Sequence, residues 1–192
     1  MTALPQPPRH PLTVAEYAAL DETDLGRYEL QEGSLLVSPS RTPHHMRVMR
    51  RLIVQLEGQI PGHLELLPDV DIDLELTPPQ RPGWSRRPDL VVVRQSEFER
   101  VGREGGLLRG AEVVLVVEIV SPGSHRTDHV IKHGEYADAG IPRYWIVDID
   151  DPISLIDCHL AESFGYRDAS AATGVFTATE PFSAILRLDE LR

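Results

Sequence analysis

Three side chains sit in surroundings that do not suit them. Glu118 follows the run Val-Val-Leu-Val-Val and precedes Ile119 and Val120. A carboxylate in such a run must meet water, a cation or a proton. Asp89 opens the run Leu-Val-Val-Val and poses the same problem. If these two strands are neighbours, both carboxylates emerge at one spot. Two convergent carboxylates suit a divalent cation such as Mg²⁺, which takes oxygen ligands and keeps several waters; two separate capping or salt-bridging acids are the alternative. Lys132 is the only lysine, against 18 arginines. A guanidinium stays protonated at any working pH, whereas an ammonium is a compact charge with an adjustable pKa. Lys132 stands one helical turn after Asp128 and one before Tyr136, so the three share a stripe. An ammonium there would orient and help deprotonate a water, or neutralise charge on a pentavalent phosphate. An i,i+4 ion pair with Asp128 is the plainer alternative. A competing set is His125, His129 and His133, every fourth residue. The His129–His133 spacing can chelate a transition metal from one helix face. Yet His-Val-Ile-Lys-His lacks the Glu that acts as base in zinc metalloproteases, and a solvated, pH-sensitive stripe is the preferred reading.

The elements that must position these residues follow from the pattern. Residues 1–11 hold four prolines and no periodicity, an extended arm. Thr13-Val-Ala-Glu16 fits a capping box opening a short helix to about residue 20. Residues 26–30 and 34–38 predict a hairpin. Met46, Met49, Ile53, Leu56 and Ile60 mark one face of a helix stopped by Pro61-Gly62, with Arg47, Arg50 and Arg51 mostly off that face. Residues 69–76 alternate acid and aliphatic without a miss, which predicts a half-buried strand with Asp69, Asp71, Asp73 and Glu75 on its other side. A Pro- and Arg-rich loop precedes the Asp89 strand. Residues 95–110 hold a short helix and a Gly-rich turn. Residues 113–120, the most apolar segment, belong at the centre of the sheet. A helix over residues 127–139 follows, then a strand pair at 143–149 and 153–160. Phe176, Phe182, Ile185 and Leu188 are expected to pack back on the core. No repeat or second domain is visible, which gives one mixed α/β domain over residues 12–192.

Composition narrows the partners. Thirty acids against 19 bases give a net charge of −11, which argues against a broad nucleic-acid coat protein. A single cysteine, Cys158, excludes a disulfide framework and a Cys-rich zinc site. No apolar run approaches the roughly 20 residues needed to span a bilayer, and the first residues lack the apolar stretch of a secretion signal. A cytoplasmic protein without a membrane partner is expected.

Several motifs occur in order: Gly26-Arg-Tyr-Glu29-Leu, Ser38-Pro39, Pro43-His44-His45, Arg87-Pro-Asp89-Leu-Val, Val117-Glu118-Ile-Val-Ser-Pro122, Asp128 with Lys132 and Tyr136, and Gly140-Ile-Pro-Arg-Tyr-Trp145-Ile-Val-Asp148. Together they resemble the Uma-two family, bacterial restriction-endonuclease-like proteins of the PD-(D/E)XK nuclease superfamily, over roughly residues 12–185. The resemblance implies a restriction endonuclease-like α/β (α+β) fold, a mixed central sheet flanked by helices with an N-terminal helix and hairpin. It implies a Mg²⁺ or Mn²⁺ site at Asp89 and Glu118, completed by the main-chain carbonyl of Ile119. The superfamily's common form has a lysine where Val120 stands; in this family the lysine looks to have moved to the following helix, where Lys132 lies. Glu29 matches the family's Tyr-Glu-Leu and is a candidate third carboxylate, with a hairpin salt bridge as the alternative. His45 matches the histidine at the helix start, and Arg87 and Tyr136 join it as substrate contacts. Arg41, Arg47, Arg50, Arg51, Arg86 and Arg87 form the nearest local basic surface. The expected activity is a metal-dependent endonuclease hydrolysing phosphodiester bonds in DNA, as a possible homodimer. The alternatives are a non-catalytic binding or regulatory protein retaining the fold, and a metal-dependent hydrolase of a small phosphate ester.

Overall fold

The computed structural model describes residues 10–20, 28–37, 40–120, 123–161 and 165–192. Residues 1–9 of the arm, and Gly26, Arg27, Ser38, Pro39, Ser121 and Pro122 of the motifs, lie outside the described residues. The chain opens with helix α1 (Val14–Ala18), whose capping box is formed by Thr13 and Glu16. Strands β1 (Tyr28–Gln31) and β2 (Ser34–Val37) make the expected hairpin. Its turn residues Glu32 and Gly33 have φ of 50° and 74°, the left-handed pair that matches strand twist in a two-residue turn.

Helix α2 (Pro43–Glu57) starts at an N-cap Thr42 whose side chain accepts the His45 N–H. It buries Val48, Met49, Leu52 and Leu56, with Ile53 and Ile60 at the margin. Met46, expected on that face, is exposed; the inward stripe begins at His45 instead. Strands β3 (Leu64–Pro68), β4 (Ile72–Asp73), β5 (Ser85–Arg86) and β6 (Leu90–Arg94) follow. Residues 69–76 do not form the single strand that their alternation predicts. Asp69 and Glu75 have φ of 57° and 54°, so the pleat breaks twice and only Ile72–Asp73 pairs. The alternation has another cause, since each acid has its own polar partner. Asp69 meets Arg41, Asp71 meets Arg87 and Tyr17, Asp73 accepts the Glu75 N–H, and Glu75 accepts the Ala111 N–H.

Helix α3 (Gln95–Glu104) leads through β7 (Leu108–Arg109) to β8 (Val113–Val120). A π-helical turn over Thr127–Lys132 runs into α4 (His133–Asp138). Then come β9 (Arg143–Asp148), β10 (Ser154–Leu160), β11 (Tyr166–Asp168), β12 (Ala172–Thr173), β13 (Val175–Ala178) and β14 (Ala184–Arg187). The large sheet runs β11-β10-β9-β8-β6-β3, with β12 also on β10; β8–β9 is parallel and the other pairs are antiparallel. A smaller sheet, β2-β1-β5-β4-β7, lies over one side, and β13–β14 forms a separate hairpin. No helix among the described residues is long and apolar enough to cross a membrane.

Both faces of the large sheet are covered, which is why β6 and β8 read as continuous apolar runs. Leu90, Val92, Leu115, Val117, Ile119, Trp145 and Val147 pack under α2 and the β13–β14 hairpin. Val91, Val93, Val116, Val120, Tyr144 and Ile146 pack with Tyr136, Ile141 and Tyr166 on the other face. Phe176, Phe182 and Leu188 join the first cluster as expected, but Ile185 points to solvent. By the two-residue period, Asp89 and Glu118 belong to the second face.

Candidate active site

The register carries Asp89 and Glu118 together. Leu90 pairs with Val117 across antiparallel β6 and β8, so the next residue of each strand, Asp89 and Glu118, stand opposite on one face. The Ile119 N–H donates to Asp89 Oδ2 at 2.8 Å, fixing the carboxylate against β8. Both acids are buried yet line one cleft. Its other walls include Glu29, Arg41, His45, Asp69, Arg86, Arg87, Asp128 and Lys132.

Lys132 lies 7% exposed at the centre of three acids. Its Nζ donates to Glu118 Oε1 at 2.8 Å, and lies 3.1 Å from Glu29 Oε1 and 3.8 Å from Asp128 Oδ1. The i,i+4 pair with Asp128 is present, but the two long-range contacts are closer. A π-helical turn delivers it, a feature that inserts one residue per turn and re-aims the side chains after it. The surrounding acids hold the ammonium well above its ordinary pKa despite burial. Burial pushes Glu118 up to about 8, opposed by Lys132 and helped by Asp128, Asp89 and Glu29. Burial also raises Asp128. Glu29 moves down against its burial, because Lys132 and Arg86 both face it.

Asp89 is held on both oxygens. Arg41 Nε donates to Oδ1 at 2.8 Å with Nη2 at 2.7 Å, and His45 Nε2 lies 3.0 Å from Oδ2. Against burial, His45, Arg41 and the Ile119 amide keep this carboxyl below its ordinary range. Arg41 also reaches Asp69 Oδ1 at 2.7 Å. Of the four acids in residues 69–76, Asp69 alone lines the cleft.

Arg86 was expected on a basic surface and is instead 1% exposed. Its guanidinium forks onto Glu135, Nε to Oε2 at 2.6 Å and Nη2 to Oε1 at 2.7 Å, while Nη1 donates to Glu29 Oε2 at 2.9 Å. Glu135 and this network have no signature in the sequence, since the partners lie 49 and 57 residues apart in the chain. Glu29 is therefore more than a hairpin salt bridge: it joins Arg86, Lys132 and the Arg87 N–H. Arg87 lines the cleft and binds Asp71. Arg47, Arg50 and Arg51 do not line it; Arg51 donates to the Glu190 carbonyl instead. Tyr136, expected to touch substrate, is wholly buried, and its hydroxyl donates to Glu118 Oε1 at 2.8 Å. Its place is behind the acid. His129 and His133 do not make a chelating pair. His125 stacks on His129 with ring centroids 4.1 Å apart, and His133 turns to Asp168.

The donor set at the cleft fits a divalent cation. Asp89 and Glu118 offer oxygen only, which suits Mg²⁺ or Mn²⁺ rather than a soft ion. Two observations support the fit. Glu118 is buried with more acids than cations around it, so that it tends to keep a proton. Asp89 already has a cation, the Arg41 guanidinium, against Oδ1, where an ion would bind in its stead.

A mixed sheet whose adjacent central strands deliver two acids, with a lysine from the following helix, places the chain among nuclease-like α/β proteins. It matches the crystal structure of "a putative nuclease belonging to DUF820 from Anabaena variabilis ATCC 29413" with a TM-score of 0.69 and 17% sequence identity, covering 94% of this chain and 97% of that one. The chain belongs to the Uma2 family, described as "Putative restriction endonuclease", whose profile matches residues 14–175. No curated protein matches the sequence.

Proposed function

We propose that the chain is a Mg²⁺- or Mn²⁺-dependent endonuclease that hydrolyses phosphodiester bonds in DNA. The observation that carries this reading is the meeting of Asp89, Glu118 and Lys132 in one cleft, with Lys132 Nζ 2.8 Å from Glu118. Asp89, Glu118 and the Ile119 carbonyl would hold the divalent ion, which would supply Lewis-acid polarisation of the phosphate and a lowered pKa for water. The chain's own groups do the rest. Lys132 donates one N–H to Glu118 and presents positive charge to the phosphate oxygens as negative charge builds on them. Glu29, pinned by Arg86, holds the ammonium from its other side. His45 and the Ile119 amide fix the Asp89 rotamer, and Tyr136 fixes Glu118. Arg41, anchored by Asp69, lines the same cleft and would offer its Asp89-facing nitrogens to a phosphate. A homodimer would present two such clefts to two strands.

One observation favours a second reading. Arg41, Arg86 and Arg87 in the cleft each face carboxylates, and the net charge is −11, so little phosphate-neutralising surface supports duplex binding. A small phosphate ester needs no such surface. The test is plasmid and short duplexes incubated with Mn²⁺, Mg²⁺ or chelator, beside Asp89→Ala and Lys132→Ala. Metal-dependent nicking lost in both variants is expected. Cleavage that persists in both overturns the assignment of this site. Hydrolysis of bis(p-nitrophenyl) phosphate without plasmid cleavage favours the small ester. If calorimetry finds no millimolar Mn²⁺ binding that Glu118→Ala removes, the fold is non-catalytic.

A further inference from the structure

Behind the Lys132 helix, three groups of different chemistry meet where α4 crosses the edge of the large sheet. Cys158 on β10 pairs directly with Asp168 on β11, so their side chains share a face. His133, the first residue of α4, points its Nε2 at Asp168 Oδ1, 2.8 Å away. The ring is set edge-on to Tyr166 and Tyr144, with centroids 5.2 and 6.3 Å away. Cys158 is fully buried beside Asp168. One ligand atom from each of the three residues lies within 4.8 Å of the other two.

We propose that His133, Cys158 and Asp168 form a second metal site, for a Zn²⁺-like borderline ion, which ties the Lys132-bearing helix to β10 and β11. The donor set is thiolate, imidazole and carboxylate, the mixture Zn²⁺ accepts and Mg²⁺ rejects. With bonds of about 2.0–2.3 Å, tetrahedral ligands stand roughly 3.3–3.7 Å apart. The His133–Asp168 contact of 2.8 Å must therefore open by under about 1 Å, and the widest separation, which is at most 4.8 Å, close by no more than about 1.5 Å. Asp168 can make that adjustment, because its side chain is 51% exposed. The same exposure gives the ion access and leaves a fourth position for solvent water. On binding, the Cys158 S–H ionises and its proton goes to solvent, while His133 coordinates through Nε2 with its proton on Nδ1. No electron is transferred. The two sites sort by chemistry: the ligands proposed at the cleft, Asp89, Glu118 and the Ile119 carbonyl, are all oxygen, and this edge adds sulfur and nitrogen.

The chain has one cysteine, so any thiolate signal comes from Cys158. The probe is Co²⁺, titrated into the full chain with excess Mg²⁺ present, followed by Zn²⁺. The expected result is an intense near-ultraviolet thiolate-to-cobalt band saturating at one equivalent and bleached by one equivalent of Zn²⁺. Cys158→Ser abolishes the band. Because Cys158 is buried, Asp168→Asn and His133→Gln at the partly exposed rim are the second variants. Each weakens Co²⁺ binding at least about tenfold, the loss that even an outer-shell partner produces. Absence of a thiolate band in the unaltered chain overturns the site, as does a band of undiminished affinity in both rim variants.

Discussion

Lys132→Met isolates the contribution of the one lysine. At an effective dielectric of about 20, contacts of 2.8, 3.1 and 3.8 Å carry gross attractions of roughly 4–6 kcal/mol each. Desolvation of the four buried ions takes back most of that sum, and removing one partner of a buried pair costs about 3–5 kcal/mol because the remaining charges lose their compensation. The loss has a pH signature with a definite sign. The folded pKa of Lys132 is raised, so the contribution of its own titration is full below the ordinary value of 10.5 and fades only as pH rises through the folded value. Between pH 4 and 9 the dependence therefore comes from the acids. Without the ammonium, Glu29 and Asp128 protonate more readily in the folded chain, which is destabilised progressively as pH rises from about 4 to 8, while Glu118, already raised to about 8, adds its share only above that range. Urea unfolding, followed by the fluorescence of buried Trp145, should give a deficit of about 3–5 kcal/mol near pH 8, shrinking below about 1 kcal/mol near pH 4, with the slope m unchanged. A deficit under about 1 kcal/mol at pH 8, or one flat across that range, would refute the charge arrangement.

Cleavage at low Mn²⁺ should rise with pH through about 8, because the Glu118 carboxylate must lose its proton to bind metal. Raising Mn²⁺ should draw that midpoint downward, and a midpoint indifferent to Mn²⁺ would separate Glu118 from the metal. Arg86→Met should cost about 3–5 kcal/mol in denaturant unfolding by stranding Glu135 and Glu29; adding Glu135→Leu should recover part of it, and equal loss in the double variant would count against the pair. Gly83→Ala places a Cβ 2.5 Å from Val14 Cγ2 and 2.7 Å from the Val14 nitrogen. It should lift α1, costing about 1–3 kcal/mol, and speed limited proteolysis near that helix; unaltered proteolysis would mean the contact relaxes freely.

The legible parts of this fold are those where one physical rule acts alone. Thr13 to Glu16 is a capping box because two hydrogen bonds close within three residues. The runs before Val93 and Val120 are apolar because both faces of the sheet are covered, and that burial is what made Asp89 and Glu118 conspicuous. Residues 69–76 misled because the period of two came from four separate polar duties rather than a pleat. Arg86 and Glu135 were invisible for the same reason that they are effective: their partners come from three distant elements, and only the folded topology brings them together. The arginine-to-lysine imbalance takes on a physical meaning here. Arg41, Arg86 and Arg87 meet carboxylates with several guanidinium nitrogens each, the planar geometry for which arginine is suited. Where three acids converge from different directions on one point, a fork cannot face them all, and a compact ammonium with three rotatable donors can. The same position beside Glu118 also faces the cleft, so the ammonium that three acids hold in place is the one the proposed nuclease reading sets beside the phosphate. A Lys132→Arg chain should therefore keep its net charge yet lose the Glu29 or the Asp128 contact, and with it the alignment of the cleft.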